Sequence, residues 1–138
     1  MTLDIKKVEY YDITVDGSAG EGTKLLAAFA GAGVNLLAFK AVPAEAGRTR
    51  FSLFPDDSRK MKIGADEAGL AIDGPRFALL VKGDDDESGA LAGIYEKLSQ
   101  AGIDVYESSG MANIKDSYGV VFYLGKDECE KAFGALKD

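Results

Sequence analysis

The chain has 138 residues, of which 16 are basic and 23 acidic, giving a net charge of −7, and it contains no histidine. The acidic balance disfavours binding to a nucleic-acid backbone, and the lack of histidine excludes Ser–His and Cys–His catalytic pairs and the common zinc sites. With 46% hydrophobic and 28% charged residues, the composition is that of a globular protein. No apolar run is long enough to span a membrane, the start lacks an apolar leader, and Cys129 has no second cysteine to pair with, so we expect a cytoplasmic protein.

Two segments of the sequence, residues 20–36 and 89–105, follow the same pattern. Each begins with a glycine, continues with apolar residues at helical spacing, and ends its helix at Ala-Gly. The opening glycines Gly20 and Gly89 are 69 positions apart, and so are the closing ones. A repeat of half the chain length predicts two copies of one supersecondary unit.

The first copy is predicted to contain a strand over residues 8–15, a helix from Gly20 or Glu21, strands over 34–42 and 49–54, and a second helix. The apolar face of the first helix is formed by Leu25, Leu26 and Phe29. Asp57 is expected to cap the second helix, whose buried face carries Met61, Ala65 and Ala68. A short strand over residues 70–72 should follow.

The second copy is predicted to repeat this order, with strands over residues 77–81, 103–108 and 118–124. Its first helix carries Leu91, Ile94, Tyr95 and Leu98, and its second, capped by Asp127, carries Cys129, Phe133 and Leu136. The final short strand is missing, and residues 3–5 are its expected substitute. Whether the strands at 3–5 and 70–72 pair with the strand that follows or cross to the other copy is left open.

The second copy resembles an ACT domain in its loop and helix start at 86–91, in Ile94 and Leu98, and in the Ala-Gly-Ile-Asp run at 101–104. Residues 16–20 and 32–36 resemble the same pattern. The resemblance implies an α+β fold of two ferredoxin-like βαββαβ modules, residues 1–73 and 74–138, each an antiparallel sheet with helices on one face. It further implies a non-catalytic regulatory protein that binds a small metabolite, a free amino acid, at an interface between modules.

The same resemblance indicates where such a ligand would bind. A glycine turn lets a ligand approach the backbone, and the N–H groups that start a helix attract a carboxylate. The better site is expected in the first copy, at Gly17, Ser18, Ala19, Gly20, Asn35 and Leu36. A weaker second site, which is more acidic, comprises Asp86, Glu87, Ser88, Gly89 and Asp104. The acidic loop at residues 84–87 is interpreted as a solvated helix start rather than a metal site, so no metal is expected. No cofactor is expected either.

Several interpretations of partners stay open. A homodimer is expected because two-fold association is the commonest closed assembly, and a metabolic enzyme is a possible partner. The alternative function is a protein–protein interaction module without a small ligand. Arg48 and Arg50 lie on one face of the third strand, where they either hold a carboxylate or guard an exposed sheet edge by charge.

Overall fold

The computed structural model of the chain describes residues 3–83, 89–105, 107–112 and 117–137, and it has a mixed α+β fold with antiparallel strand pairs. Six strands and four helices occur in these residues. Their order is β1 (Leu3–Asp16), α1 (Glu21–Gly31), β2 (Leu36–Pro43), β3 (Arg48–Pro55), α2 (Ser58–Ala68), β4 (Asp73–Gly83), α3 (Ala90–Gln100), β5 (Ser108–Ala112), β6 (Tyr118–Tyr123) and α4 (Lys126–Lys137). None of the helices in the described part of the chain is long and apolar enough to cross a membrane.

The chain forms two compact units. The central unit is Glu9–Arg76, and the terminal unit combines Met1–Val8 with Phe77–Asp138. The predicted strand at 3–5 is the beginning of the longer β1, and Leu3 and Ile5 pack against the core of the terminal unit. This end of the chain therefore crosses to the second copy. The strand predicted at 70–72 is not formed, because β4 begins only at Asp73.

In the central unit the strands lie in the order β2-β3-β1, so β3 is internal and β2 is at the edge. Phe39 of β2 is opposite Leu53 of β3, which is opposite Tyr11 of β1. The helices cover the face of the sheet that carries Tyr11 and Leu53, and they contribute Leu25, Phe29, Met61 and Ala65 to its buried core. Two predicted core positions are wrong: Leu26 is 37% exposed and Ala68 also faces solvent.

In the terminal unit the strands lie in the order β5-β6-β4. The core contains Ile94 and Leu98 of α3 together with Cys129, Ala132 and Leu136 of α4. The strand predicted over 103–108 is wrong, because β5 begins where that range ends, and Ile103 is buried without being part of a strand. Leu91 is 49% exposed, so its predicted place on the buried face of α3 is wrong; Ala90, Ile94 and Leu98 form that face.

The helix ends agree with the sequence in three of four cases. Helices α1 and α3 are each followed by a glycine in the left-handed region, Gly33 with φ 81° and Gly102 with φ 75°. Asp57 caps α2, since its Oδ1 accepts a hydrogen bond from the Arg59 N–H at 3.0 Å. Asp127 is not a cap: it lies inside the first turn of α4, where its negative charge still favours the helix start.

Candidate functional site

The loop of residues 17–20 connects β1 to α1 and rests against the turn Glu45–Gly47. The N–H of Gly17 donates to the carbonyl oxygen of Gly47 at 3.0 Å, and any side chain at position 17 would collide with that oxygen. The N–H of Ser18 donates to Oδ1 of Asp16 at 3.3 Å. Glycine at position 17 is therefore required for a close approach between two backbone segments.

The start of α1 is exposed. Gly20, the residue before the helix, has φ 93° and ψ −17°, a conformation that favours glycine, and no side chain in the described part of the chain caps the helix. All four residues of the 17–20 loop are exposed. Glu21 is the acidic residue of the first turn, and its Oε1 accepts from Nζ of Lys24 at 3.2 Å. This arrangement leaves first-turn N–H groups for an anion such as a carboxylate.

Asn35 and Leu36, predicted to face the same ligand, lie at the other end of the sheet. The backbone oxygen of Asn35 accepts from the Asp56 N–H at 2.9 Å, and Leu36 is opposite Pro55 at the end of β3. The 17–20 loop instead follows Asp16, which is opposite Arg48 at the start of β3. The length of β3, about 23 Å at the usual rise per residue, separates them. The central unit of one chain thus does not bring the two halves of the predicted site together.

The weaker second site is described only in part, since Asp86, Glu87 and Ser88 lie outside the described residues. Gly89 precedes α3 with φ 88°, close to the value at Gly20. It opens onto a cleft of about 580 Å³ whose lining includes Leu91, Met111 and Tyr118. Asp104 is exposed beyond the opposite end of α3, about 16 Å of helix away. The two copies therefore share a geometry in which the helix separates the glycine from the polar position.

Other candidate groups offer little chemistry. Burial raises the pKa of the Cys129 thiol to about 11, so the thiol stays protonated and unreactive near neutral pH. Within the described ranges, no group of three or more acidic or cysteine side chains is placed to hold a metal ion. The edge-guarding interpretation of Arg48 and Arg50 is wrong, because β3 lies between β2 and β1 rather than at the edge of the sheet.

Comparison with known proteins gives likenesses in structure alone. No family model matches the chain, and no curated protein does. Protein BT0572 from Bacteroides thetaiotaomicron is 19% identical, with a TM-score of 0.80, over 96% of this chain and 90% of that one. The ligand-free regulatory subunit of aspartate kinase from Thermus thermophilus is 12% identical, with a TM-score of 0.65, over 99% of this chain and 93% of that one. The structure of the aspartokinase alpha and beta subunits is 19% identical, with a TM-score of 0.61, over 100% of this chain and 99% of that one. These likenesses show that the fold is ACT-like.

Proposed function

We propose that this protein is a non-catalytic, cytoplasmic regulatory protein made of two ACT modules, and that it binds a free amino acid at a module interface. The module boundaries predicted from the sequence are residues 1–73 and 74–138. The strand at 3–5 completes the sheet of the second module, although it precedes the first module in the chain. The exposed start of α1 carries the proposal: apart from the Glu21 N–H, which donates to the Ser18 carbonyl oxygen at 3.3 Å, its first-turn N–H groups offer donors that suit the carboxylate of a ligand. The ACT-like fold and the likeness to regulatory subunits of aspartate kinase support it.

The ligand site requires a second copy of the chain, since Asn35 is remote from the 17–20 loop. Strand β2 is at the edge of the sheet, with Phe39 63% and Leu37 38% exposed. Antiparallel pairing of β2 with β2 of a second copy would bring the start of one strand beside the end of the other. The end of β2 leads into the turn Glu45–Gly47, against which the 17–20 loop rests. A two-fold dimer of this kind would therefore bring Asn35 of one copy toward the 17–20 loop of the other.

The roles of the residues follow from their chemistry. The N–H groups at the start of α1 bind the ligand carboxylate. The side chain of Asn35 both donates and accepts, so it can bind the carboxylate and the ammonium group. Binding that favours the dimer couples amino-acid concentration to assembly without any chemical step.

The proposal is tested by thermal denaturation of the chain with each of the twenty amino acids at millimolar concentration. We expect at least one to raise the midpoint by several degrees, since a ligand at 100 times its Kd adds about 2.7 kcal/mol to the free energy of unfolding. Asn35→Ala should abolish this shift, whereas Asp104→Ala, at the corresponding position of the second copy, should preserve it. Failure of all twenty amino acids to stabilise the protein would contradict the proposal.

A protein–protein interaction module is the second candidate. Large apolar side chains are exposed on both end strands, with Phe39 63% exposed on β2 and Met111 82% exposed on β5. Such a module would bind a partner, for example a metabolic enzyme, without a small ligand. Phe39→Lys would then abolish partner capture while Asn35→Ala had no effect. Under the ligand proposal, Phe39→Lys should lower the dimer fraction measured by sedimentation. It should also reduce the rise in thermal midpoint that the amino acid causes.

A further inference from the structure

Arg48 and Arg50 lie on the face of the central sheet that the helices do not cover. Arg50 is opposite Thr14 on β1 and Val42 on β2, while Phe51 and Leu53, at the alternate positions further along β3, point into the helix-covered core. Residues two apart on a strand lie on the same face, with their Cα atoms about 7 Å apart. The two guanidinium groups therefore extend from neighbouring positions of an internal strand.

These arginines line a concave site. A cleft of about 680 Å³ is bounded by Thr14, Pro43, Glu45, Ala46, Arg48 and Arg50. Its rim is the turn Glu45–Gly47, in which Ala46 adopts φ 57° and ψ 37°. That conformation is uncommon for a residue other than glycine, asparagine or aspartate, and it is held where surrounding structure imposes it. All residues that line the cleft belong to the central unit.

The charges of this cleft are not satisfied within the protein. Of the four arginines in the sequence, Arg59 and Arg76 form ion pairs with aspartates at 3.3 and 2.8 Å. Among the described residues, no carboxylate lies within 4.0 Å of the guanidinium of either Arg48 or Arg50. Glu45 is the acidic residue of the lining, and Asp16, which is opposite Arg48 on β1, lies outside the lining and forms no ion pair with Arg48. The lining itself therefore carries two positive groups and one negative group, in a chain with a net charge of −7.

One of the two guanidinium groups is already oriented. Nη2 of Arg48 donates to the carbonyl oxygen of Thr14 at 3.2 Å, which fixes the side chain across to β1. A guanidinium has five N–H donors, so this bond leaves others for a ligand. The side chain of Arg50 makes no hydrogen bond with the other described residues, and its backbone pairs with the neighbouring strands. A planar donor fork of this kind matches the oxygens of a carboxylate or a phosphate.

We propose that this cleft binds a compact oxyanion, a carboxylate or phosphate group held between Arg48 and Arg50. The ligand sits against β3, because both guanidinium groups extend from that strand. This site shares the turn Glu45–Gly47 with the 17–20 loop, but no residue of that loop lines it, and it does not depend on amino-acid binding there.

The test is isothermal titration at low ionic strength with inorganic phosphate and, separately, with succinate. We expect one or both to bind. Tighter binding of phosphate would indicate a phosphate group as the natural ligand, and tighter binding of succinate would indicate a carboxylate. Arg50→Gln and Arg48→Gln should each raise Kd about tenfold or more, because each removes a charge-assisted hydrogen bond. Arg50→Lys, which keeps the charge but loses the fork, should give an intermediate Kd.

Lys62→Gln is the matched control, since it makes the same charge change at an exposed position of α2 in the same unit. It should change Kd less than twofold. Circular dichroism should show that Arg50→Gln folds normally, because Arg50 is exposed. Asn35→Ala should retain phosphate or succinate binding, which separates this site from the proposed amino-acid site. Binding of neither anion, or an equal loss in Lys62→Gln and Arg50→Gln, would overturn the proposal.

Discussion

The two strand-to-helix junctions place glycine at equivalent positions for different physical reasons. Gly17 follows Val-Asp at the end of β1, and Gly83 follows Val-Lys at the end of β4. Gly17 is exposed, and a side chain there would meet the carbonyl oxygen of Gly47, whereas Gly83 is buried and a side chain there would meet the ring of Tyr118. Both copies therefore need a residue without a side chain at this junction. The neighbouring group that requires it is a backbone carbonyl in the first copy and an aromatic side chain in the second.

The largest effect is expected from Gly83→Ala. The added methyl group overlaps the end of the Tyr118 ring, and overpacking of this kind costs about 1–3 kcal/mol of the free energy of unfolding. Because the obstacle is a side chain, Gly83→Ala should cost much less in a Tyr118→Ala background. A double-mutant cycle followed by urea denaturation measures this coupling. Strictly additive effects of the two substitutions would show that Tyr118 is not the obstacle.

Gly17→Ala sharpens the comparison, because here the obstacle is a backbone carbonyl that no side-chain substitution removes. The turn Glu45–Gly47 must shift and the Gly17–Gly47 hydrogen bond must lengthen, at a cost of about 1 kcal/mol. Thr49, the nearest side chain, has its Oγ1 at 3.3 Å from the added methyl position. Thr49→Ala should therefore fail to rescue Gly17→Ala in urea denaturation. Rescue by Thr49→Ala would contradict the close backbone approach.

Features that depend on local sequence could be predicted, and features that depend on sheet order could not. The left-handed glycines after α1 and α3 and the Asp57 cap follow from neighbouring residues, and all are confirmed. In contrast, β5 has the sequence SSGMA, which has little intrinsic preference for a strand, and it forms by pairing with β6. Local apolar patterns had placed this strand several residues too early.

The candidate site shows the same limit. The 17–20 loop and Asn35 could be chosen from the sequence as separate positions, but their distance depends on the full length of β3. The environment of Arg48 and Arg50 likewise required the strand order, since alternation along a strand does not reveal whether that strand is internal or at the edge. Tertiary pairing, rather than propensity, decides these questions.

The second helices of the two copies differ in a titratable core residue. Met61 of α2 and Cys129 of α4 hold equivalent buried positions, but only the thiol can lose a proton. Burial, with the nearby Glu130 and Glu128 charges, raises the pKa of Cys129 from 9.0 to about 11, and its Sγ donates to the carbonyl of Leu124 at 3.7 Å. A raised folded-state pKa stabilises the protein below the unfolded-state pKa and loses this effect as pH rises through the folded-state value.

We therefore expect wild-type stability to fall relative to Cys129→Ala between about pH 9 and pH 11, since only the wild type carries the thiol. Other titrating groups are common to both proteins, so they cancel in the difference. Urea denaturation of both proteins across this range measures the effect. Curves that stay parallel up to pH 11 would show that the buried thiol does not titrate differently in the folded state. Met61→Ala, which alters no titratable group, should show parallel curves.

The smallest effect distinguishes the starts of α2 and α4. The Arg59 side chain donates to Asp57, and the Arg59 backbone N–H also donates to it, and these bonds lower the pKa of Asp57 below its usual 3.8. Because the folded-state pKa is lowered, the cap stabilises the protein above the ordinary pKa and loses this effect as pH falls through the lowered value.

Asp57→Ala should lower the thermal midpoint at pH 7 more than Asp127→Ala lowers it. Asp57 is a helix cap, whereas Asp127 lies within the first turn and contributes only its charge. Circular dichroism melts from pH 7 down to pH 2 should show the Asp57→Ala difference shrinking below pH 4, and a difference that grows in acid would contradict the capping interaction.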